Sequence, residues 1–316
     1  MRVCLMIEGQ EGVSWDEWVA LGQAAEESGL DGLFRSDHYA GLMGDETRSS
    51  LDAWTQIAAL AAITRRIRLG TLVSPITFRH PALLAKAVAT ADHVSGGRVE
   101  LGIGAGWNVR EHEAYGFRFP DLPERLERLE EQLELIVRQW TENGLTHEGR
   151  HYRLDGLDAL PKPVQRPRPP VIVGGAAKPR TARLAARFAD EYNTPFATVE
   201  QCRERRARIL EACAVTGREP LVFSLMTGCV VAADRADLRD RVRRLMERMR
   251  VERDPDEFIR ERGDVMILGT VNEVVARLQE LEAAGVERVF LQHLAHDDIE
   301  MVHLVGAEVA PAVASA

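Results

Sequence analysis

The sequence predicts a single α/β domain, residues 1–316, folded as a closed (β/α)8 barrel with insertion segments. Three observations predict it. Short apolar runs alternate with longer helical patterns along nearly the whole chain. Such alternation is what parallel strands joined by helical crossovers leave in a sequence. The strand-like runs reach eight, and 316 residues suit one barrel of this kind. An open, doubly wound sheet is the alternative architecture.

The elements follow in order. Arg2–Ile7 is the first strand. Ser14 has the chemistry of an N-cap, and Glu17 three residues on completes a capping box. Trp18, Leu21 and Ala25 then recur at helical spacing, and Ser28-Gly29 ends the helix. Gly32–Arg35 is the second strand, with a helix over 51–63. The third pair is a strand at 67–73 and a helix at 81–94 that opens on proline, where a missing N–H is harmless. A strand at 98–102 precedes a long charged helix at 123–140.

Residues 141–170 break the rhythm. The segments 145–147 and 151–153 flank Glu148-Gly149-Arg150 and read as a small hairpin. Pro161, Pro163, Pro167, Pro169 and Pro170 make an extended connector that no helix can cross. The alternation then resumes: strand 171–173 with helix Pro179–Phe188, strand 191–194 with helix 199–215, strand 221–231 with helix 236–250. Residues 251–263 are polar without a clear period and read as a loop, part of a lid-like insertion over about 251–266. A helix at 271–284 and a strand at 288–293 close the count.

Composition excludes several classes. With 40 Lys+Arg against 49 Asp+Glu the formal net charge is −9, so the chain lacks the basic face that nucleic acid or an anionic membrane surface requires. No apolar run approaches the roughly 20 residues of a membrane span. Arg2 is followed by five apolar residues and then Glu8, which is no signal peptide. Cys4, Cys202, Cys213 and Cys229 show no CxxC spacing, so neither zinc nor a disulfide framework is indicated, and a reducing, cytoplasmic location is expected.

In such a barrel the chemistry sits where the strands end. Those positions hold Glu8-Gly9, Ser36-Asp37-His38, Ser74–Thr77, Gly104–Asn108, Gly174–Ala177, Pro195 and Gln292-His293. His38 is the natural proton carrier, because its ordinary pKa lies near 6.5, and Asp37 is placed either to cap a helix or to orient a neighbour. Gly102-x-Gly104-x-Gly106 is GxGxG and not the dinucleotide GxGxxG; glycines here let backbone approach a flat ligand, or simply allow a tight bend. Gly174-Gly175-Ala176-Ala177, before Lys178 and Arg180, reads as an anion cradle at a helix N-terminus. Glu111 and Glu113 flank His112 on what reads as a solvated helix start. His147 and His151 fall in the hairpin and make no metal site, and no GxSxG nucleophile elbow is present.

Three blocks carry a family likeness: Gly32-Leu33-Phe34-Arg35-Ser36-Asp37-His38; Leu69-Gly70-Thr71-Leu72-Val73 with Arg79-His80-Pro81; and the run from Ser95-Gly96-Gly97-Arg98 to Gly104-Ala105-Gly106-Trp107. Glu111, Tyr115-Gly116, Arg125, Glu130, Tyr152, Pro161–Gln165, Val173-Gly174-Gly175 and Leu268-Gly269-Thr270 extend it. Together they resemble the bacterial-luciferase-like superfamily, most closely its branch that uses the deazaflavin coenzyme F420. The resemblance implies a (β/α)8 TIM barrel with an insertion lid, usually a homodimer, holding a tricyclic ring in the barrel mouth. It implies that Asp37 and His38 lie at the ring's reactive face, that a non-prolyl cis peptide joins Leu72 and Val73 behind the ring, and that Ala105, Gly106 and Trp107 line its other edge. Gly174, Gly175 and Ala176 would hold the coenzyme's phosphate. Trp107 stands where a sugar-phosphate dehydrogenating branch carries Glu, which argues against a sugar-phosphate substrate.

The expected activity is therefore hydride transfer between the deazaflavin and a small organic substrate, with His38 moving the accompanying proton, oriented by Asp37 or its surroundings. Two rivals stand beside it. One is an FMN-dependent monooxygenase that takes reduced flavin from a partner reductase and activates O2. The other is a barrel that binds flavin or deazaflavin without turnover.

Overall fold

The structure, a computed structural model, describes residues 1–43, 45 and 47–314. Eight strands form the barrel: β1 (Arg2–Ile7), β2 (Gly32–Arg35), β3 (Arg68–Thr71), β4 (Val99–Gly104), β5 (Val171–Gly174), β6 (Glu191–Pro195), β7 (Val222–Ala232) and β8 (Arg288–Gln292). Each pairs in parallel with the next, β7 with β6 and β8, and β8 returns to β1 with Phe290 opposite Cys4. The sheet is closed, so the open doubly wound alternative is excluded.

The helices around it are α1 (Trp15–Glu27), α2 (Ala53–Ile63), α3 (Pro81–Ser95), α4 (Val109–Tyr115), α5 (Leu122–Thr141), α6 (Pro179–Phe188), α7 (Val199–Thr216), α8 (Arg235–Arg248), α9 (Pro255–Arg262) and α10 (Val271–Ala283). The expected capping box on α1 is present, with Glu17 N–H donating to Ser14 Oγ. Strands buried on both faces read as continuous apolar runs, and β1, β2 and β4 are buried from end to end apart from Arg2. The main core lies between strands and helices, where Leu5, Leu33, Leu101 and Val173 meet Trp18, Leu60, Val88 and Leu133.

A second, smaller core fills the barrel. Cys4, Met6, Phe34, Ile172, Met226 and Phe290 pack inside it. At the N-terminal ends of the strands this interior turns ionic. The Arg288 guanidinium donates to Glu100 (2.7 Å) and Glu191 (3.0 Å) beneath the Phe34 and Phe290 rings. All three charged side chains are at most 5% exposed. This ion cluster closes the floor and leaves the opposite end for chemistry.

Three departures from the sequence reading concern the insertions. The hairpin forms, but its strands are Leu145–Glu148 and Arg153–Leu157, so His151 and Tyr152 lie in the turn. Glu131 of α5 fixes that turn by accepting from the N–H groups of both. Residues 251–263 are not a loop: Asp254 caps α9 through the N–H groups of Asp256 and Glu257, and Phe258 is buried against α8 residues Leu245 and Met246. One apolar residue per turn was too faint a period to read. A further strand, Ile267–Thr270, pairs with the outer half of β7, and the chain ends in a helical segment, Ile299–Leu304, with a π-helical turn at Val305–Val309.

Candidate active site

The C-terminal strand ends converge on a cavity of about 450 Å³. A cavity of about 570 Å³ opens at the other end around Met1 and Gly306, but the strand-end residues with acid–base chemistry converge on the first. His38, Leu72, Val73, Ala105, Gly106 and Trp107 all line it, as do Gly174 and Gly175. Asp37 and Ala176 do not. The Leu72–Val73 peptide bond is cis.

His38 follows β2 and is held from behind by Glu111, the residue read as part of a solvated helix start. That reading fails. Asn108 caps α4, and the first turn then swings Glu111 and His112 inward, where they are 0% and 1% exposed. Glu111 Oε2 sits 2.7 Å from His38 Nδ1, while Oε1 accepts from the backbone N–H groups of Tyr39 and Ala40. A carboxylate only accepts, so Nδ1 carries the proton. Nε2 is then the nitrogen available to a ligand. Burial alone works against a charged His38. The hydrogen bond and charge of Glu111 outweigh it, with Glu8 and Asp37 adding, and the pKa ends above its usual value. Glu111 feels burial first too, yet His38 and the two backbone donors bring its pKa below the usual carboxylate value.

Asp37 acts on the backbone beside His38 and not on its ring. Its carboxylate is buried and accepts from Ser74 Oγ (2.6 Å) and from both ends of the Arg79 fork. Arg79 also binds Asp52 and the Tyr39 hydroxyl. The network ties the ends of β2 and β3 together and positions the segment carrying His38. It does not touch the His38 ring. Ser74 and the two arms of Arg79 take three of its lone-pair directions, and no hydrogen bond joins it to His38 among the described residues.

The glycines also divide differently. A Cβ at Gly104 would come 2.8 Å from Val73 Cγ2, and one at Gly174 would come 3.3 Å from Val73 Cγ1. These two glycines make room for the Val73 side chain, and both also line the cavity. In the expected anion cradle, the Gly175 N–H donates to Asn193 O and the Ala177 N–H to the Tyr192 hydroxyl, so both are already used. What stays open is the N-terminus of α6. Lys178 caps it without a side-chain bond, and Pro179 supplies no N–H.

Trp107 is 64% exposed at the rim, edge-on to His38 with ring centroids 5.7 Å apart. His112 donates from Nδ1 to Asn108 O, so its Nε2 faces the Thr77 hydroxyl as acceptor. Among the described residues none of 251–266 lines the cavity. The residues the sequence reading missed are Glu111, His112 and the Arg79–Asp37 clamp. Glu111 and Arg79 are marked in the sequence only as part of the family likeness, and Asn108 three residues before Glu111 is a helix-capping pattern that points to solvent as readily as to a site.

The sequence pattern of the luciferase-like monooxygenase family matches residues 2–288. The chain belongs to that family. Within it, the chain is 36% identical over 180 residues to an F420-dependent glucose-6-phosphate dehydrogenase of Microbacterium testaceum, covering 57% of this chain and 52% of that one. It is 33% identical over 199 residues to an FMNH2-dependent dimethylsulfone monooxygenase of Pseudomonas putida, covering 62% and 53%. The chain thus spans about half the length of the curated relatives it matches. Among solved structures, monooxygenase RslO1 from Streptomyces bottropensis superposes over 99% of this chain and 100% of its own, with TM-score 0.85 and 25% identity. The closed barrel is the fold of these luciferase-like proteins.

Proposed function

We propose that this luciferase-like protein is an oxidoreductase that transfers a hydride between coenzyme F420 and a small organic molecule bound in the barrel mouth. The observation that carries the reading is the buried His38–Glu111 pair opening on the strand-end cavity. The F420-dependent relative supports it. The residues fit the group: the cis Leu72–Val73 segment and the Ala105-Gly106 backbone bound a cleft for a flat ring, and the uncapped N-terminus of α6, with Lys178 and Arg180 beside it, suits a phosphate. When bound, the deazaflavin ring accepts or releases the hydride.

The chain's own residues do the rest. His38 Nε2 takes or gives the proton that accompanies the hydride. Glu111 holds Nδ1 protonated and stabilises the imidazolium. The Asp37–Arg79–Ser74 network fixes the backbone on which His38 stands. Trp107 covers the rim and limits water beside His38. A homodimer, an electron-supplying reductase and a cytoplasmic location belong to the same proposal; the four buried free thiols are in keeping with a reducing compartment.

The FMNH2-dependent relative favours one second reading, a monooxygenase working on reduced FMN and O2. Titration calorimetry separates the two. Micromolar or tighter binding of coenzyme F420, with neither oxidised nor reduced FMN bound, supports the proposal. Tight binding of reduced FMN alone moves the protein to the monooxygenase side, and binding of none removes both.

A further inference from the structure

The cavity wall takes left-handed backbone at three of its described residues. Two are glycines, Gly106 at φ +77° and Gly175 at φ +150°, and glycine adopts such angles without strain. The third is Phe196, at φ +43°. There a side chain brings Cβ too close to the following carbonyl oxygen. Among the described residues Phe196 is the only aromatic one at positive φ.

The fold holds this conformation from both sides. Phe196 follows β6 directly, and its N–H donates to Met226 O of β7 at 2.8 Å. Before it, Arg205 of α7 donates to the Thr194 hydroxyl and to Pro195 O. After it, Ala197 is buried in the main core, and Thr198 caps α7 in a capping box with Gln201. Neighbours fixed in this way keep the Phe196 backbone in a region it would otherwise leave.

Burial does not offset the strain. The Phe196 ring is 45% exposed, whereas Phe34, Phe223 and Phe290 are at most 1% exposed. A glycine would take the same φ unstrained and leave no apolar surface in water. What the ring adds is an apolar face on the cavity, beside Pro195 and Met226. Barrel order says what that face meets. β2 and β6 are four places apart in a closed ring of eight strands. His38 and Phe196, each just beyond its strand and each lining the cavity, therefore stand on opposite sides of the mouth.

We propose that Phe196 is a specificity-determining residue: its ring is the back wall against which the apolar part of a substrate packs, and it sets how far the reacting atom lies from His38 Nε2. The strained backbone aims the ring, and the substrate supplies the burial that the chain itself does not. The proposal rests on the reading of His38 as the proton carrier of the coenzyme reaction.

Toluene is the probe, an apolar ring with no hydrogen-bonding group for His38. By NMR of the coenzyme-loaded protein, bound toluene is expected to show NOEs to both the His38 and the Phe196 rings. Phe196→Ala should weaken toluene binding by about two- to tenfold, the scale of one aromatic pair, and Phe196→Tyr, which keeps the ring, should restore it. Phe196→Gly should unfold at higher denaturant than Phe196→Ala, the reverse of the usual order, because only glycine is relaxed at this φ. A ring with a purely structural role would shift stability and leave toluene binding unaltered. No saturable toluene binding, NOEs to one ring without the other, unaltered affinity in Phe196→Ala, or Phe196→Gly less stable than Phe196→Ala would each overturn the proposal. So would an equal loss of coenzyme affinity in Phe196→Ala, which would put the ring on the coenzyme. Should Phe196→Ala fold poorly, the wild-type NOEs decide. The stability order and toluene titration of coenzyme-free protein need no coenzyme, so the proposal and the coenzyme reading fail separately.

Discussion

At the scale of single residues the proposed active site turns on one nitrogen. His38 Nε2 is available because Glu111 occupies Nδ1, and two backbone N–H groups keep Glu111 ionised. Removing the ring removes the proposed proton carrier but little of the cavity wall. His38→Ala should therefore lower kcat by about 10²–10⁴-fold, the usual scale for a general acid or base, while calorimetry still finds coenzyme binding. Unchanged turnover would take His38 out of the mechanism. Glu111→Gln keeps an oxygen for the Tyr39 and Ala40 donors and loses the charge. The His38 pKa should then fall from its raised position. In the oxidation direction neutral His38 is the base, so the acid limb of the kcat/KM profile should move to lower pH. The same pair has a stability signature. His38 binds its proton more tightly folded than unfolded, so its contribution is fully present below the ordinary histidine pKa and is lost as pH rises through the folded one. That loss should be absent from the pH dependence of unfolding in Glu111→Gln.

At the scale of elements, α9 shows how weakly periodic sequence becomes structure. Asp254 satisfies two N–H groups of the first turn, Pro255 fits where no N–H is needed, and Phe258 supplies the anchor. The apolar cluster that holds this anchor also packs against Val251, Met249 and Met43, the last from the segment after β2. Phe258 is 2% exposed. Phe258→Ala should cost about 3–5 kcal/mol of stability in denaturant unfolding. Coenzyme affinity should change little, because no residue of the insertion lines the cavity. A large loss of affinity without loss of stability would restore the lid role.

At the scale of the whole molecule, the barrel separates a floor from a mouth. Arg288 bridges two carboxylates from different strands, Glu100 of β4 and Glu191 of β6, so one side chain ties three strands inside the barrel. Burial works against the charged guanidinium, and the surrounding negative groups reverse this and raise its pKa well above the usual value. Arg288→Met would leave the two buried carboxylates with only their outer ion-pair partners, Arg68 on Glu100 and Arg2 on Glu191. Its cost should be about 3–5 kcal/mol, with the loss smaller at low pH, where the carboxylates can take up protons. Equal destabilisation at every pH would show that the cluster acts through packing alone.

Much of this was legible in the sequence because it depends on local rules. Alternating apolar runs set eight strands, Ser14 and Glu17 set a cap, and the strand ends nominated Glu8, His38, Gly104–Asn108 and Gly174–Ala177. The resemblance added Leu72 and Val73. What only the tertiary structure decided is which of these side chains meet. Asp37 and His38 are adjacent in the chain yet turn to different partners, Arg79 and Glu111, because successive residues past a strand end point in different directions. Glu111 lies 73 positions from His38, and nothing local distinguishes an inward carboxylate from a solvated one. The glycines of β4 and β5 were expected to face a ligand; Gly104 and Gly174 line the cavity and also leave room for Val73, a contact no local pattern shows. Sequence periodicity sets where backbone goes, since propensity and burial act over a few residues. Charge pairing and cavity lining depend on distances between strands far apart in sequence, and closure of the barrel alone fixes those.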